Sequence, residues 1–209
     1  NMSFSGTKLS AKNLALPPAF SLPLAPLISS LEISPAYADQ TFTVDTTFTT
    51  FQSISPGETW TVNPGVTLTF DPGSQLIIQG PGGSLVNQGT INFNDYVSNS
   101  GTINNNGGII NNYVNLFNSP VGSGVSNFGG TFNNYGTINN QAFFLNTAGG
   151  LINNNISGII DNFVTLSTDD NIVNLGTINN YGTLAVQGSI FNNPSGYLNN
   201  KAVGIINNI

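Results

Sequence analysis

Gly101-Thr102-Ile103-Asn104-Asn105 returns as Gly130-Thr131-Phe132-Asn133-Asn134, as Gly136-Thr137-Ile138-Asn139-Asn140, as Gly150-Leu151-Ile152-Asn153-Asn154 and as Gly176-Thr177-Ile178-Asn179-Asn180. Looser copies follow: Ser189-Ile190-Phe191-Asn192-Asn193, Gly196-Tyr197-Leu198-Asn199-Asn200 and Gly204-Ile205-Ile206-Asn207-Asn208. The unit is a glycine, a variable residue, an apolar residue and an asparagine pair. Its apolar anchors recur every roughly six to seven residues inside a longer cycle of about twenty, the range of β-helix repeats.

A second kind of segment lacks the asparagine pair: Tyr113-Val114-Asn115-Leu116-Phe117, Ala142-Phe143-Phe144-Leu145, Phe163-Val164-Thr165-Leu166 and Gly182-Thr183-Leu184-Ala185-Val186. Three unlike segments per cycle predict a three-sided coil. The count runs one unit too long between Val121 and Phe128, which predicts an insertion or a bulged coil there. Upstream, Thr41-Phe42-Thr43-Val44, Thr59-Trp60-Thr61-Val62 and Val66-Thr67-Leu68-Thr69-Phe70 alternate with period two, the pattern of half-buried strands. Pro56-Gly57, Pro64-Gly65, Pro72-Gly73 and Gly80-Pro81-Gly82-Gly83 punctuate them as corners.

The fold expected is therefore all-β: a single three-sided parallel β-solenoid over 39–209, with about 20 residues per coil. In such a fold each strand pairs with the strands one coil above and one below, so stacking is the folding reaction. Alternation sends Ile103 inward and Thr102 and Asn104 outward, with Asn105 inward or at the corner. The second asparagines, Asn105, Asn134, Asn154, Asn180, Asn200 and Asn208, are expected to align between coils and to hydrogen-bond along the axis, since an amide both donates and accepts. Glycine before each unit reads as relief of the left-handed backbone that a corner demands. Phe132, Phe143, Phe144, Phe163 and Phe191 read as mostly inward core rings, with a carbohydrate-binding stripe as the functional alternative.

Residues 1–38 have a different composition. Lys8 and Lys12, the apolar stretch Leu14 to Ile28 and Ala36-Tyr37-Ala38 follow the order of a secretory signal. Pro17, Pro18, Pro23 and Pro26 interrupt the apolar stretch, which disfavours a membrane-spanning helix. Two readings stand: a signal-like segment that is removed, or a retained, extended N-terminal arm.

Among 209 residues there are three lysines, nine carboxylates, and no arginine, histidine or cysteine, for a net charge of −6. Disulfides are excluded, and nucleic acid is an unsuitable partner because phosphates are held mainly by Lys and Arg. Glycoside cleavage needs two facing carboxylates; Asp161, Asp169 and Asp170 are the candidates, without a neutral-range base beside them. Asp169-Asp170 could contribute to a calcium site only with several further oxygens. The expectation is no catalytic residue, no cofactor and no metal. Asn155-Ile156-Ser157 and Asn1-Met2-Ser3 fit the glycosylation sequon, and Asn155 is the candidate acceptor.

From Gly57 to Ile209 the chain resembles the Asn- and Gly-rich parallel β-helix, or β-solenoid, proteins of microbial cell surfaces, among them archaeal and bacterial surface fibres and adhesins. The stretch Thr61-Val62-Asn63-Pro64-Gly65-Val66-Thr67-Leu68-Thr69-Phe70-Asp71-Pro72-Gly73 is similar to the way many of them begin. The resemblance implies a secreted, extracellular or cell-surface protein. The reading drawn from residues and resemblance together is the structural subunit of an extracellular filament or sheath, a homopolymer assembled head to tail. Its assembly residues are Leu14, Phe20, Leu22, Leu24 and Leu27 of the arm and Ile205, Ile206 and Ile209 of the last unit; cell-surface glycans are a second candidate partner. The alternatives are an ice- or surface-binding solenoid or adhesin, presenting Thr102, Thr137, Thr177 and Thr183 as a flat array, and a carbohydrate-active β-helix.

Overall fold

A computed structural model describes residues 38–113, 124–147 and 149–209 of the chain. The arm residues Leu14, Phe20, Leu22, Leu24 and Leu27, and the sequon at Asn1, lie outside the described residues.

Three eight-stranded sheets wind around a common core. Sheet A runs through Gln40–Phe42, Thr59–Val62, Ser84–Asn87, Thr102–Asn105, Thr131–Asn134, Leu151–Asn154, Asn171–Asn174 and Ser189–Asn192. Sheet B runs through Thr46–Phe48, Thr67–Phe70, Thr90–Phe93, Ile109–Asn112, Thr137–Asn140, Ile159–Asn162, Thr177–Asn180 and Tyr197–Asn200. Sheet C runs through Gln52–Ile54, Leu76–Ile78, Val97–Asn99, Gly124–Phe128, Phe143–Thr147, Thr165–Thr168, Thr183–Val186 and Ile205–Asn208. Consecutive strands go to different sheets, and neighbours within a sheet pair parallel, in register. The described residues form a three-sided parallel β-solenoid.

A four-residue strand has two inward positions, the second and the fourth. The second is the centre of the core: Leu85, Ile103, Phe132, Ile152 and Ile172 stack in sheet A, Ile91, Ile110, Ile138, Ile160 and Ile178 in sheet B, and Val97, Val125, Phe144, Leu166 and Leu184 in sheet C, all buried. The fourth position lies at the corner and changes chemistry along the axis. In the first coils it is apolar, with Val62 in sheet A, Phe70 and Phe93 in sheet B and Ile54 and Ile78 in sheet C; Phe48, Phe70 and Phe93 form a column of rings with centroids 5.2 and 5.5 Å apart. From Asn87 in sheet A, Asn112 in sheet B and Asn99 in sheet C the corner is taken over by asparagine, until Thr168 and Val186 replace it in sheet C.

One expectation is placed more narrowly and two are corrected. The strand at the level of the surplus unit is Gly124–Phe128, a regular member of sheet C; Val114 to Phe117, expected there, lie outside the described residues. Inner asparagine bonds across this coil span 28 or 29 residues, against 18 to 22 at the other inner asparagine rungs, so the expected insertion is present and lies before Gly124.

The repeat glycines do not serve a left-handed backbone. Positive φ occurs at Gly57, Gly65, Gly73, Gly82, Gly107, Gly129 and Gly149, in tight turns. Gly136 and Gly176 have ordinary φ and are needed because coils approach there: a Cβ on Gly176 would lie 2.2 Å from the carbonyl oxygen of Gly158.

The phenylalanines also divide. Phe132 and Phe144 are buried, whereas Phe143 is half-buried at the outward first position of its strand, and Phe163 and Phe191 are exposed. Phe191 pairs with outward Val173, and its neighbour Ile190 takes the inward place beside Ile172. The unit there reads Gly188 before Ser189, one residue out of step with the asparagine-pair pattern.

Candidate functional site

The chemistry that this fold concentrates is the primary amide. Sheet A carries an inner ladder Asn87–Asn105–Asn134–Asn154–Asn174–Asn192, in which each Nδ2 donates to the Oδ1 of the next coil at 2.6–2.9 Å. Sheet B carries Asn112–Asn140–Asn162–Asn180–Asn200 at 2.7–2.8 Å. Sheet C carries Asn99–Asn127–Asn146 and ends on Thr168, whose hydroxyl accepts from Asn146 at 3.2 Å and donates to the Asp170 carbonyl at 2.8 Å.

Each amide does more than join its neighbours. Its second N–H crosses the corner to the first carbonyl of the next sheet one coil on: Asn105 to Thr137, Asn134 to Ile159, Asn154 to Thr177 and Asn162 to Thr183, at 2.9–3.3 Å. At several rungs the oxygen also accepts from a backbone N–H two residues ahead, as Asn87 does from Gly89 at 3.1 Å and Asn134 from Gly136 at 3.3 Å. An amide has two N–H donors and an oxygen with two lone pairs, so a rung such as Asn134 is fully used. That is why a wholly buried polar side chain is tolerated at each corner: an unpaired one would cost about 1–3 kcal/mol. The top rung of sheet B shows the rule by its exception. Asn112 follows Phe93, which has no amide to offer, and Asn112 Oδ1 is buried without a partner.

The asparagines expected to form one aligned set are divided among three ladders: Asn105, Asn134 and Asn154 in sheet A, Asn180 and Asn200 in sheet B, and Asn208 in sheet C. Asn105, Asn134, Asn154 and Asn180 are buried while Asn104, Asn133, Asn153 and Asn179 are half-exposed. Asn200 and Asn208 are exposed, because no described coil follows them. Asn99, Asn127, Asn146, Asn162 and Asn174 are equal members that a search for asparagine pairs misses. The signal that finds them is shorter: an apolar residue, any residue, then asparagine, as in Val97-Ser98-Asn99, Val125-Ser126-Asn127 and Ile160-Asp161-Asn162.

Outward amides form ladders of their own. Asn153 donates to Asn133 and Asn133 to Asn104 in sheet A, both at 2.9 Å. In sheet B, Asn111 donates to Asn92, Asn139 to Asn111, Asn179 to Asp161 and Asn199 to Asn179, at 2.8–3.0 Å. These outer bonds run toward the N-terminal coils and the inner ones toward the C-terminal coils, so the two sets of amide dipoles oppose one another along the axis.

The carboxylates serve mainly the corners. Asp39 accepts from Thr59 N and Asp45 from Thr67 N, each at 2.8 Å. Asp170 accepts from Gly149 N at 2.7 Å, Asp169 from Thr147 Oγ1 at 3.0 Å, and Asp95 from Gly73 N. Buried Glu58 accepts from Trp60 Nε1 at 2.7 Å and from Ser55 N at 3.0 Å. Among the described residues Asp161 is the one carboxylate on a sheet face. Asp161 lies in sheet B, in register with Asn139 and Asn179, while Asp169 and Asp170 cap a corner between sheets C and A; the three do not converge. Among the described residues no group of three His, Cys, Asp or Glu is placed to hold a metal ion, and no helix is long and apolar enough to cross a membrane.

The threonines proposed as a flat array are also divided: Thr102 is on sheet A, Thr137 and Thr177 on sheet B, and Thr183 on sheet C. In sheet B, Ile159 separates Thr137 from Thr177. Asn155 sits half-buried at a corner, its Nδ2 3.3 Å from the Asn153 carbonyl, beside the exposed Ile156.

The two ends of the described solenoid differ. In the first coil the central inward positions are Gln40, Thr46 and Gln52, in register with Trp60, Leu68 and Leu76; Thr46 and Gln52 direct their polar groups to their own loops. In the coil of Ser189–Asn208 those positions are Ile190, Leu198 and Ile206. Ile206 is 44% exposed, Ile205 54% and Ile209 76%. Asn192 and Asn200, without a following rung, donate back to the carbonyls of Gly196 and Gly204 at 2.8 and 2.7 Å. Comparison with family models, with curated proteins and with solved structures finds no match.

Proposed function

We propose that this protein is a structural subunit of an extracellular filament or sheath, assembled by stacking solenoid coils of successive copies. A structural or adhesin-like role accords with a rigid β-solenoid whose residues are committed to axial hydrogen bonds. The observation that supports the finer reading is the last described coil, Ser189–Asn208: Ile190 and Leu198 are only partly buried, packed against the coil before them, and Ile206 is 44% exposed. An unpaired solenoid coil is a template for another, and a heterologous contact of this kind propagates.

The first coil offers a poor apolar partner at its centre, where Gln40, Thr46 and Gln52 lie, although Phe42 and Phe48 flank them. If the arm before Gln40 is retained, it can supply apolar cover. Leu14, Phe20, Leu22, Leu24 and Leu27 of one copy would cover Ile190, Leu198 and Ile206 of the next, adding an extended segment to its open strands. Secretion follows from the same reading, since such a polymer forms outside the cell.

The uncharged lateral faces favour a sheath. Apart from Asp161, the charged side chains of the described strands and corners stand at corners or are buried, so the strand faces themselves carry little charge. Electron microscopy of the purified 209-residue chain at high concentration tests the proposal: filaments are expected, and a folded monomer that stays monomeric would refute it. A chain lacking residues 1–38 separates arm donation, which its loss of filaments would support, from direct coil stacking.

A further inference from the structure

The outward ladder of sheet B is broken at one step. Asn92, Asn111, Asn139, Asp161, Asn179 and Asn199 stand in one column, and each bond along it runs from an Nδ2 to the oxygen of the preceding coil. Asn139 and Asp161 are paired in register, yet among the described residues no hydrogen bond joins them. The cause is chemical: the bond would need an N–H from position 161, and a carboxylate has none to give. Asn139 Oδ1 and the free carboxylate oxygen are two acceptors on adjacent coils with no donor between them. Asparagine at 161 would complete the column, so the aspartate breaks a rule that its neighbours follow. Such departures concentrate at functional positions.

The surroundings are specific. Alternation places Ile159, Asp161 and, at the corner, Phe163 on the outer side of the same segment. Phe163 lies parallel to Tyr181, centroids 4.9 Å apart and planes at 9°, and Lys201 Nζ is 5.7 Å from the Tyr181 ring centre. Each amide of the column uses one N–H along the axis and has no second side-chain donor bond among the described residues.

We propose that this patch binds the hydroxyl groups of a neutral polysaccharide. Two neighbouring acceptors that lack a donor match a pair of vicinal hydroxyls, each giving one O–H. The spare N–H groups of Asn139 and Asn179 donate to oxygens of the same chain, and Phe163, 45% exposed, offers the part of its ring that Tyr181 does not cover to the C–H side of a sugar. Rungs repeat at the strand spacing of ~4.8 Å, close to the length of one pyranose residue in an extended glycan, so consecutive sugars meet equivalent amides. An acidic glycan would bring its charge against Asp161. A lysine from a protein partner would satisfy the carboxylate and leave the amide rungs unused, and an ion pair on so open a face contributes little.

The test is retention of the full chain on immobilised cellulose, chitin, mannan, pectate and a lysine-rich peptide, comparing the unmodified protein with Asp161→Asn, Phe163→Ala and, on sheet A, Thr102→Ala. The unmodified protein is expected to bind at least one of the neutral polysaccharides. Asp161→Asn and Phe163→Ala should each reduce that binding at least tenfold, and Thr102→Ala should leave it unchanged. Asp161→Asn should also raise the melting temperature, because it supplies the missing rung; loss of binding with a gain in stability is a result that damage to the fold cannot imitate. The proposal is overturned if no neutral polysaccharide retains the protein, if either variant binds like the unmodified chain, if only pectate or the peptide is bound, or if Asp161→Asn melts lower. None of these outcomes depends on whether filaments form.

Discussion

Replacing Asn154 by alanine removes three hydrogen bonds from the middle of the sheet A ladder. Asn154 donates to Asn174 Oδ1 at 2.8 Å and to the Thr177 carbonyl at 3.1 Å, and accepts from Asn134 Nδ2 at 2.8 Å. The neighbours stay buried. Asn134 keeps its corner bond to Ile159 O but has one N–H without a partner, and Asn174 Oδ1 loses its rung. Two orphaned groups at about 1–3 kcal/mol each give an expected loss of about 2–6 kcal/mol. Leucine, which has the same branched skeleton of side-chain heavy atoms and leaves no cavity, should also be costly, because the same two neighbours are orphaned. Asn200 is the control. It accepts from Asn180 at 2.8 Å and donates to its own corner, but it is exposed, so water replaces what alanine removes and the loss should stay below about 1 kcal/mol. Urea titration followed by far-UV circular dichroism measures both, with amide exchange over 171–180 reporting whether damage is confined to the adjoining coils. Equal costs at 154 and 200 would refute the account of the ladder as a set of buried, mutually dependent amides.

Gly176→Ala should prevent the coils at 158 and 176 from closing and cost more than about 3 kcal/mol, since its Cβ would meet the Gly158 and Asn155 carbonyl oxygens at 2.2 and 2.3 Å. Gly107→Ala, at positive φ with open space around it, should cost only about 1 kcal/mol; denaturant midpoints that rank the two the other way would contradict the close-approach reading. Glu58→Ala should lose about 2–4 kcal/mol, because it strips a charged acceptor from Trp60 Nε1 and Ser55 N in a buried corner; unchanged emission from Trp60, the chain's single tryptophan, would show that this contact is not formed in solution. Ile206→Asp should abolish filament growth while leaving the fold intact, by placing a carboxylate in the proposed joint, and growth of the unmodified chain should change little between low and high salt because the joint carries no ion pair. Sedimentation at several salt concentrations checks both statements.

The fold was legible because its determinant is periodic. A glycine, an inward apolar residue two places on and an asparagine two places beyond that make one strand and one corner, and Thr102–Asn105, Thr131–Asn134, Leu151–Asn154 and Thr177–Asn180 state this directly in the sequence. Where one element of the unit is replaced, as at Ser189–Asn192, counting asparagine pairs misplaces the register by one residue and turns Phe191 inward when it faces out. Glycine was misread for a related reason: one glycine symbol serves a left-handed turn at Gly107 and a coil-to-coil contact at Gly176.

Local sequence alone therefore determines that the chain is β, that it winds in cycles of about twenty residues, and that asparagine occupies inward corners. It determines these because strand alternation and the need to bury apolar anchors act over a few residues. Which asparagines share a ladder, which threonines share a face, and that Asp161 confronts Asn139 were decided by tertiary structure. Those neighbours are 18 to 29 residues apart, and the separation changes from coil to coil with the length of each corner, so partnership is set by how the corners stack rather than by any spacing readable along the chain.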